Sequence, residues 1–119
     1  MPKKITNTSP NFRVQLKHGV AIGPGKATLL EIISITGSIS EAARVMEMSY
    51  RTAWQLVTSM NEHFKQPLVT LNKGGKAGGG ADLTATGWEV LQTYQAMQTK
   101  AVAAIAKEVT HLESLIRPQ

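Results

Sequence analysis

No cysteine occurs among the 119 residues, which removes disulfide staples, thiolate zinc sites, iron–sulfur clusters and cysteine nucleophiles. No apolar run reaches 18 residues, and residues 1–10 form a polar, basic leader without a signal-peptide core. Neither membrane spanning nor secretion is therefore expected, and a cytoplasmic setting fits. Acidic side chains are scarce: eight Asp and Glu face thirteen Lys and Arg, a net charge of +5 with a pI near 9.8. Nucleic acid and anionic membrane both suit such a balance. The excess is local, because residues 1–80 hold ten basic and four acidic side chains and residues 81–119 hold three and four. What is present can fold: 42% hydrophobic and 18% charged residues suffice for a core, and the length allows one domain with an appended element.

Phe12 to Lys17 alternates apolar and polar residues, the pattern of a half-buried strand whose inner face is Phe12, Val14 and Leu16. Gly19 to Gly25 reads as a turn cluster, and from Lys26 the residues Leu29, Leu30, Ile32 and Ile33 keep helical spacing until Gly37. A second helix over about Ile39 to Met46 is capped by Ser38 or Ser40 and carries Glu41 in its first turn. After Ser49, the stripe Ala53, Val57, Met60 and Phe64 marks a third helix that Pro67 stops. Leu68 to Lys73 and Ala81 to Thr84 read as strands around the glycine-rich run 74–80. From Ala85 to about Ile116 no proline interrupts the pattern, which predicts one helix about 48 Å long, more than the preceding domain can cover.

Two short helices joined by a turn of three or four residues, followed by a hairpin, make a mainly α fold with a small β component: a winged helix-turn-helix followed by a long C-terminal helix. Ala42 and Ala43 permit a tight helix contact. In such a unit the second helix offers its N-terminal polar face to the major groove, and the preceding helix meets phosphate at its own N-terminus. The recognition helix is expected at about 49–64, with Ser49, Tyr50, Arg51, Thr52 and Gln55 facing DNA and Ser38 and Ser40 near phosphate. Arg51 suits guanine O6 and N7, Gln55 suits adenine N6 and N7, and Tyr50 or Thr52 can bond phosphate or touch a thymine methyl. In the wing, 73–81, Lys73 and Lys76 amid glycines suit the phosphate backbone better than base edges.

The run Gly37-Ser-Ile-Ser-Glu-Ala-Ala-Arg44, the segment Ser49-Tyr-Arg-Thr-Ala-Trp54, Met60-Asn61, the wing Gly74 to Ala81, Leu83-Thr84 and Gly87 together resemble the N-terminal DNA-binding domain of ModE-type, molybdate-responsive bacterial regulators. The resemblance covers about 23–115. LysR-type regulators share the more distant frame through Ala42-Ala43, Ser49, Pro67-Leu68 and Leu83 to Gly87. It implies a homodimeric, sequence-specific DNA-binding transcription regulator with the residues above in its reading positions. Full-length relatives of this type carry C-terminal molybdate-binding domains that have no counterpart before Gln119, so molybdate binding is not expected.

Other constellations are bland. Lys76 is followed by Ala77 where a P-loop needs Ser or Thr, and Gly23-Pro-Gly25 lacks the third glycine of a dinucleotide fingerprint. His18, His63 and His111 lie on different elements without metal spacing. No nucleophile–base pair or carboxylate dyad can be assembled, so an enzyme is not expected, and no cofactor is implied. Trp54, beside the buried stripe, is expected to take a core or helix-packing role rather than to stack on a base, and Arg44, Lys65 and Lys26 to be solvated. Met46, Met48 and Met60 sit at core positions, and Met97 can join a helix seam. The last helix lacks the Lys and Arg of an interfacial membrane helix, so self-association explains its apolar stripe better. Leu91, Tyr94, Ala101, Ile105, Val109, Leu112 and Ile116 would form that dimer seam. The domains expected are then a leader 1–10, a DNA-binding unit 11–84 and a dimerisation helix 85–119, with duplex DNA on an inverted repeat as partner. The competing reading is a protein-interaction adaptor on the same frame, with only non-specific DNA affinity.

Overall fold

A computed structural model describes residues 11–72 and 80–119. Strand β1 (Val14–Gln15) pairs antiparallel with β2 (Ala21–Ile22), in the register Val14 opposite Ile22. The strand expected over Phe12–Lys17 is this short because a 3-10 turn at Lys17–Gly19 reverses the chain. His18 and Gly19 take positive φ of 61° and 77° there, and Leu16 N–H donates to Val20 O at 2.7 Å. Leu16 consequently leaves the inner face and is exposed, while the supposed turn cluster supplies buried Ala21 and Ile22. Phe12 keeps its inward role by stacking on Tyr94, ring centroids 5.4 Å apart, and its carbonyl accepts from the Tyr94 hydroxyl at 2.8 Å.

Helix α1 spans Pro24–Thr36, two residues earlier than its apolar pattern suggests. Proline is tolerated at a first helical position, where its missing N–H would have no partner. The helix ends at Gly37, whose φ of 69° suits a residue without a β-carbon and whose N–H closes on Ile33 O at 2.7 Å. Helices α2 (Ile39–Val45) and α3 (Tyr50–His63) follow. Leu29, Leu30 and Ile33 of α1, Ile39, Ala42 and Ala43 of α2, and Ala53, Val57 and Met60 of α3 make the core. Full burial of each larger apolar side chain contributes about 1.5–3 kcal/mol.

Strands β3 (Val69–Asn72) and β4 (Gly80–Leu83) pair antiparallel from Val69 opposite Leu83 to Asn72 opposite Gly80. The far edge of β4 is also engaged, because Ala81 N–H donates to Gly37 O at 2.9 Å. A β-carbon at Gly80 would stand 3.4 Å from that same carbonyl. Helix α4 (Ala85–Ala104) starts at Thr84, whose hydroxyl accepts from Gly87 N–H at 2.9 Å and donates to Pro67 O at 2.7 Å. Gly87 is required by proximity rather than by φ, since a β-carbon there would lie 2.1 Å from Leu68 O.

The single helix expected over 85–116 is interrupted. Ile105 (φ −111°, ψ 15°) separates α4 from α5 (Ala106–Ser114), although Ile105 N–H still donates to Ala101 O and Val109 N–H to Ile105 O. The joint falls where the helix leaves the domain, since no residue after Tyr94 is buried and, past Ile105, only Val109 is half-buried. Leu91 and Tyr94, expected on the dimer seam, are core residues instead, each 2% exposed. Their pattern is the same apolar stripe, but its first two turns are covered by α1 and the N-terminal segment of the same chain. The radius of gyration, 16.5 Å, exceeds the roughly 13–14 Å of a compact chain of this length. The projecting arm accounts for the difference, and the longest extent is 54 Å.

Candidate nucleic-acid interface

Small residues let α2 and α3 approach closely: Ala42, Ala43 and Ala53 are at most 3% exposed. The turn between the helices runs through residues 46–49. Met46 N–H closes on Ala42 O and Met48 N–H on Ala43 O, both at 3.0 Å, and Glu47 takes a positive φ of 58°. The turn, expected to have three or four residues, has four and is built on a left-handed residue that is not glycine.

Ser49 then caps α3. Its hydroxyl accepts from Thr52 N–H at 3.0 Å and donates to Thr52 Oγ1 at 2.9 Å. That arrangement fills an acceptor position of Thr52 and leaves its hydroxyl proton available to donate to an acceptor oxygen. Ser49 itself is committed to the cap. Tyr50, Arg51 and Gln55 are exposed on the turns that follow, and among the described residues neither Arg51 nor Gln55 makes a side-chain hydrogen bond or ion pair. Toward those residues their donors are unspent.

Ser38 caps α2 by accepting from Glu41 N–H at 3.1 Å, and its hydroxyl meets that of Ser40 at 3.1 Å. Through the Gly37–Ala81 bond these serines sit at the root of β4 rather than at the start of α3. Arg44 is exposed and pairs with Glu41 at 2.8 Å. That hydrogen bond, with the attraction of the guanidinium, holds the Glu41 carboxyl below its ordinary range. Lys26 bonds Ala21 O at 3.1 Å. Arg44 is solvated as expected while pairing with Glu41, whereas Lys26 is half-buried and spends a donor on the backbone.

Asn61, at the far end of α3, fixes the start of β3 to that helix. Its Oδ1 accepts from Leu68 N–H (2.8 Å) and Val69 N–H (3.1 Å), while its Nδ2 donates to Val69 O (3.0 Å). In the sequence Asn61 stands out only as part of a family motif, since a polar residue near a helix end carries no signal of what it will bond. Asn72 and Asp82 bridge the strands by a side-chain hydrogen bond. Lys73 and Lys76, expected at the wing tip, and the leader 1–10 lie outside the described residues.

Trp54 departs from its expected place. It is 37% exposed and stacks on Tyr50, which is 54% exposed, with centroids 6.2 Å apart and planes at 21°. The signal was available: Trp54 follows Tyr50 by four residues and falls outside the Ala53–Val57–Met60 stripe. His18, His63 and His111 are all exposed on separate elements. Among the described residues no group of three or more His, Cys, Asp or Glu side chains could hold a metal ion, and no helix is long and apolar enough to cross a membrane.

No family model matches the chain. Individual relatives do. The chain is 42% identical over 95 residues to the molybdenum-pterin-binding protein MopB of Rhodobacter capsulatus, covering 80% of this chain and 34% of that protein. It is 34% identical over 115 residues to the transcriptional regulator ModE of Haemophilus influenzae, covering 94% of this chain and 45% of that protein. To the molybdenum transport protein ModE of Azotobacter vinelandii it is 37% identical, over 73% of this chain and 32% of that protein. The chain is thus a winged helix-turn-helix domain homologous to part of ModE, MopA and MopB, matched over most of its own length but over only 32–45% of theirs.

Proposed function

We propose that this domain binds duplex DNA sequence-specifically, as a homodimer on an inverted repeat, and regulates transcription in the cytoplasm. The observation that carries the reading is the N-terminal half of α3, where Arg51, Thr52 and Gln55 stand exposed at the capped end of the second helix of a helix-turn-helix. Relatives named as a transcriptional regulator and as a DNA-binding transcriptional dual regulator support it, the latter 37% identical over 68% of this chain. So does the concentration of positive charge in residues 1–80. Helix α3 enters the major groove, where Arg51 and Gln55 read base edges and Tyr50 and Thr52 contact backbone or thymine. Ser38, Ser40, Lys73 and Lys76 hold phosphate.

The division of labour proposed is DNA reading by residues 11–84 and pairing by 85–119. The seam begins at Ala101 and continues through Ile105, Val109, Leu112 and Ile116, because Leu91 and Tyr94 are already used inside the chain. Ile105, Leu112 and Ile116 are 40%, 63% and 65% exposed, and a two-fold pairing would cover them.

Selection of bound duplexes from a random pool, at stated salt, tests this reading. A palindromic consensus is expected, Arg51→Ala should relax it at one position per half-site, and Lys76→Ala should weaken all sequences alike and lower the salt slope by roughly one. Recovery of no preferred duplex, or an unchanged consensus with Arg51→Ala, refutes it. Weak binding that vanishes at moderate salt would instead favour the adaptor.

A further inference from the structure

We infer that the stacked Tyr50–Trp54 pair is a thymine-methyl reader, and that Trp54 is a specificity-determining residue of the recognition helix. The inference rests on the DNA reading above and goes beyond it by giving the exposed tryptophan a chemical target.

Successive helical residues turn by about 100°, so relative to Ala53 at the centre of the buried face the positions follow. Tyr50, Asn61 and Trp54 lie about 60°, 80° and 100° to one side, with Arg51 and Gln55 about 160° and 200° around. The aromatic pair therefore shares the flank of Asn61, which anchors β3, and Trp54 is its member nearer the two long polar side chains. Neither ring belongs to the core, and the near-parallel stack makes their exposed parts one continuous apolar shelf.

Such a shelf on an otherwise polar face gains by meeting apolar surface. The thymine C5-methyl is the apolar group that base edges present in the major groove. Trp54 has a single donor, its indole N–H, and no acceptor, so its recognition is by contact. Its position on the Asn61 flank puts the thymine on the wing side of the bases facing Arg51 and Gln55.

The test uses the whole chain and the duplex recovered by selection with the unaltered protein. Each thymine of one half-site is replaced in turn by deoxyuridine, which deletes the methyl alone. One replacement, on the wing side, should weaken binding by about fourfold, the effect of exposing one methyl. The penalty should disappear in Trp54→Ala and persist in Trp54→Phe. As a second measurement, Trp88→Phe leaves Trp54 as the sole indole, and its quenching by acrylamide should fall when that duplex is bound. The inference is overturned if every uracil penalty is the same in the unaltered protein and Trp54→Ala, or if quenching of Trp54 is unchanged by a duplex that binds. Failure to recover any preferred duplex would instead sink the DNA reading itself, and this inference with it.

Discussion

Replacing Gly87 by alanine sets two effects of opposite sign against each other. Position 87 lies in the first turn of α4, where alanine is favoured over glycine by up to about 1 kcal/mol. The new methyl, however, would stand 2.1 Å from Leu68 O, and van der Waals contact requires about 1.2 Å more. Leu68 cannot withdraw: it is fully buried, its carbonyl accepts from Thr84 N–H at 2.9 Å, and its N–H is held by Asn61. Helix α4 must move instead, which costs about 1–3 kcal/mol in overpacking and a similar amount for a broken buried hydrogen bond. After the propensity gain, Gly87→Ala should destabilise by about 3 kcal/mol. With a urea slope of about 1.5 kcal/mol/M, the midpoint followed by circular dichroism falls by about 2 M. Gly25→Ala is the internal control. A β-carbon at Gly25 meets nothing within 4 Å, so the same substitution there should stabilise by about 0.5–1 kcal/mol. An unchanged or raised midpoint for Gly87→Ala would refute the close approach of α4 to Leu68.

Asn61→Ala strips partners from two backbone N–H groups and one carbonyl at the root of β3, and should cost about 2–4 kcal/mol in urea titration, against nearly nothing for exposed Glu62→Ala. Burial raises the Tyr94 hydroxyl above its ordinary value of 10.0. Its contribution is therefore fully present below that value and lost as pH rises through the folded-state value, so thermal stability should drop at alkaline pH. Tyr94→Phe should flatten that drop while losing about 1 kcal/mol at neutral pH with the bond to Phe12 O. Leu112→Glu, on an exposed position of α5, should leave the urea midpoint of the core unchanged and shift sedimentation from dimer to monomer; a dimer that survives it would remove Leu112 from the seam.

How much was legible in the sequence follows from what each feature depends on. Helices α1 to α3 and the β3–β4 pair were readable because their apolar periods, serine caps and stop signals are local. Gly37 and Ser38 mark one boundary so plainly that structure and pattern agree within a residue. Strand β2 was hidden because Ala21 and Ile22 sit among glycines, and only the reversal at His18 brings them opposite β1. The stripe through Leu91 and Tyr94 was visible, but not which surface would cover it: periodicity records that a face is apolar and is silent on whether the same chain or another buries it. Trp54 was misplaced for the related reason that tryptophan is usually buried, whereas here its angular position outranks its type. Arg51, Thr52 and Gln55 stand exposed where the pattern put them.

The bond from Ala81 N–H to Gly37 O has a consequence for how the domain comes apart. Strand pairs beside a long glycine-rich run are ordinarily the first to open, and their amides exchange with solvent fastest. Here the outer edge of β4 is fastened to the carbonyl that ends α1, so separating the wing root requires undoing the corner from which α2 departs. Ala81 should therefore exchange its amide hydrogen with the slow class of α1 rather than with the wing, and any variant that hastens one should hasten both by the same factor. Two sequence signatures far apart in the chain, at Gly37 and at Gly80-Ala81, would then belong to a single unit of cooperative unfolding.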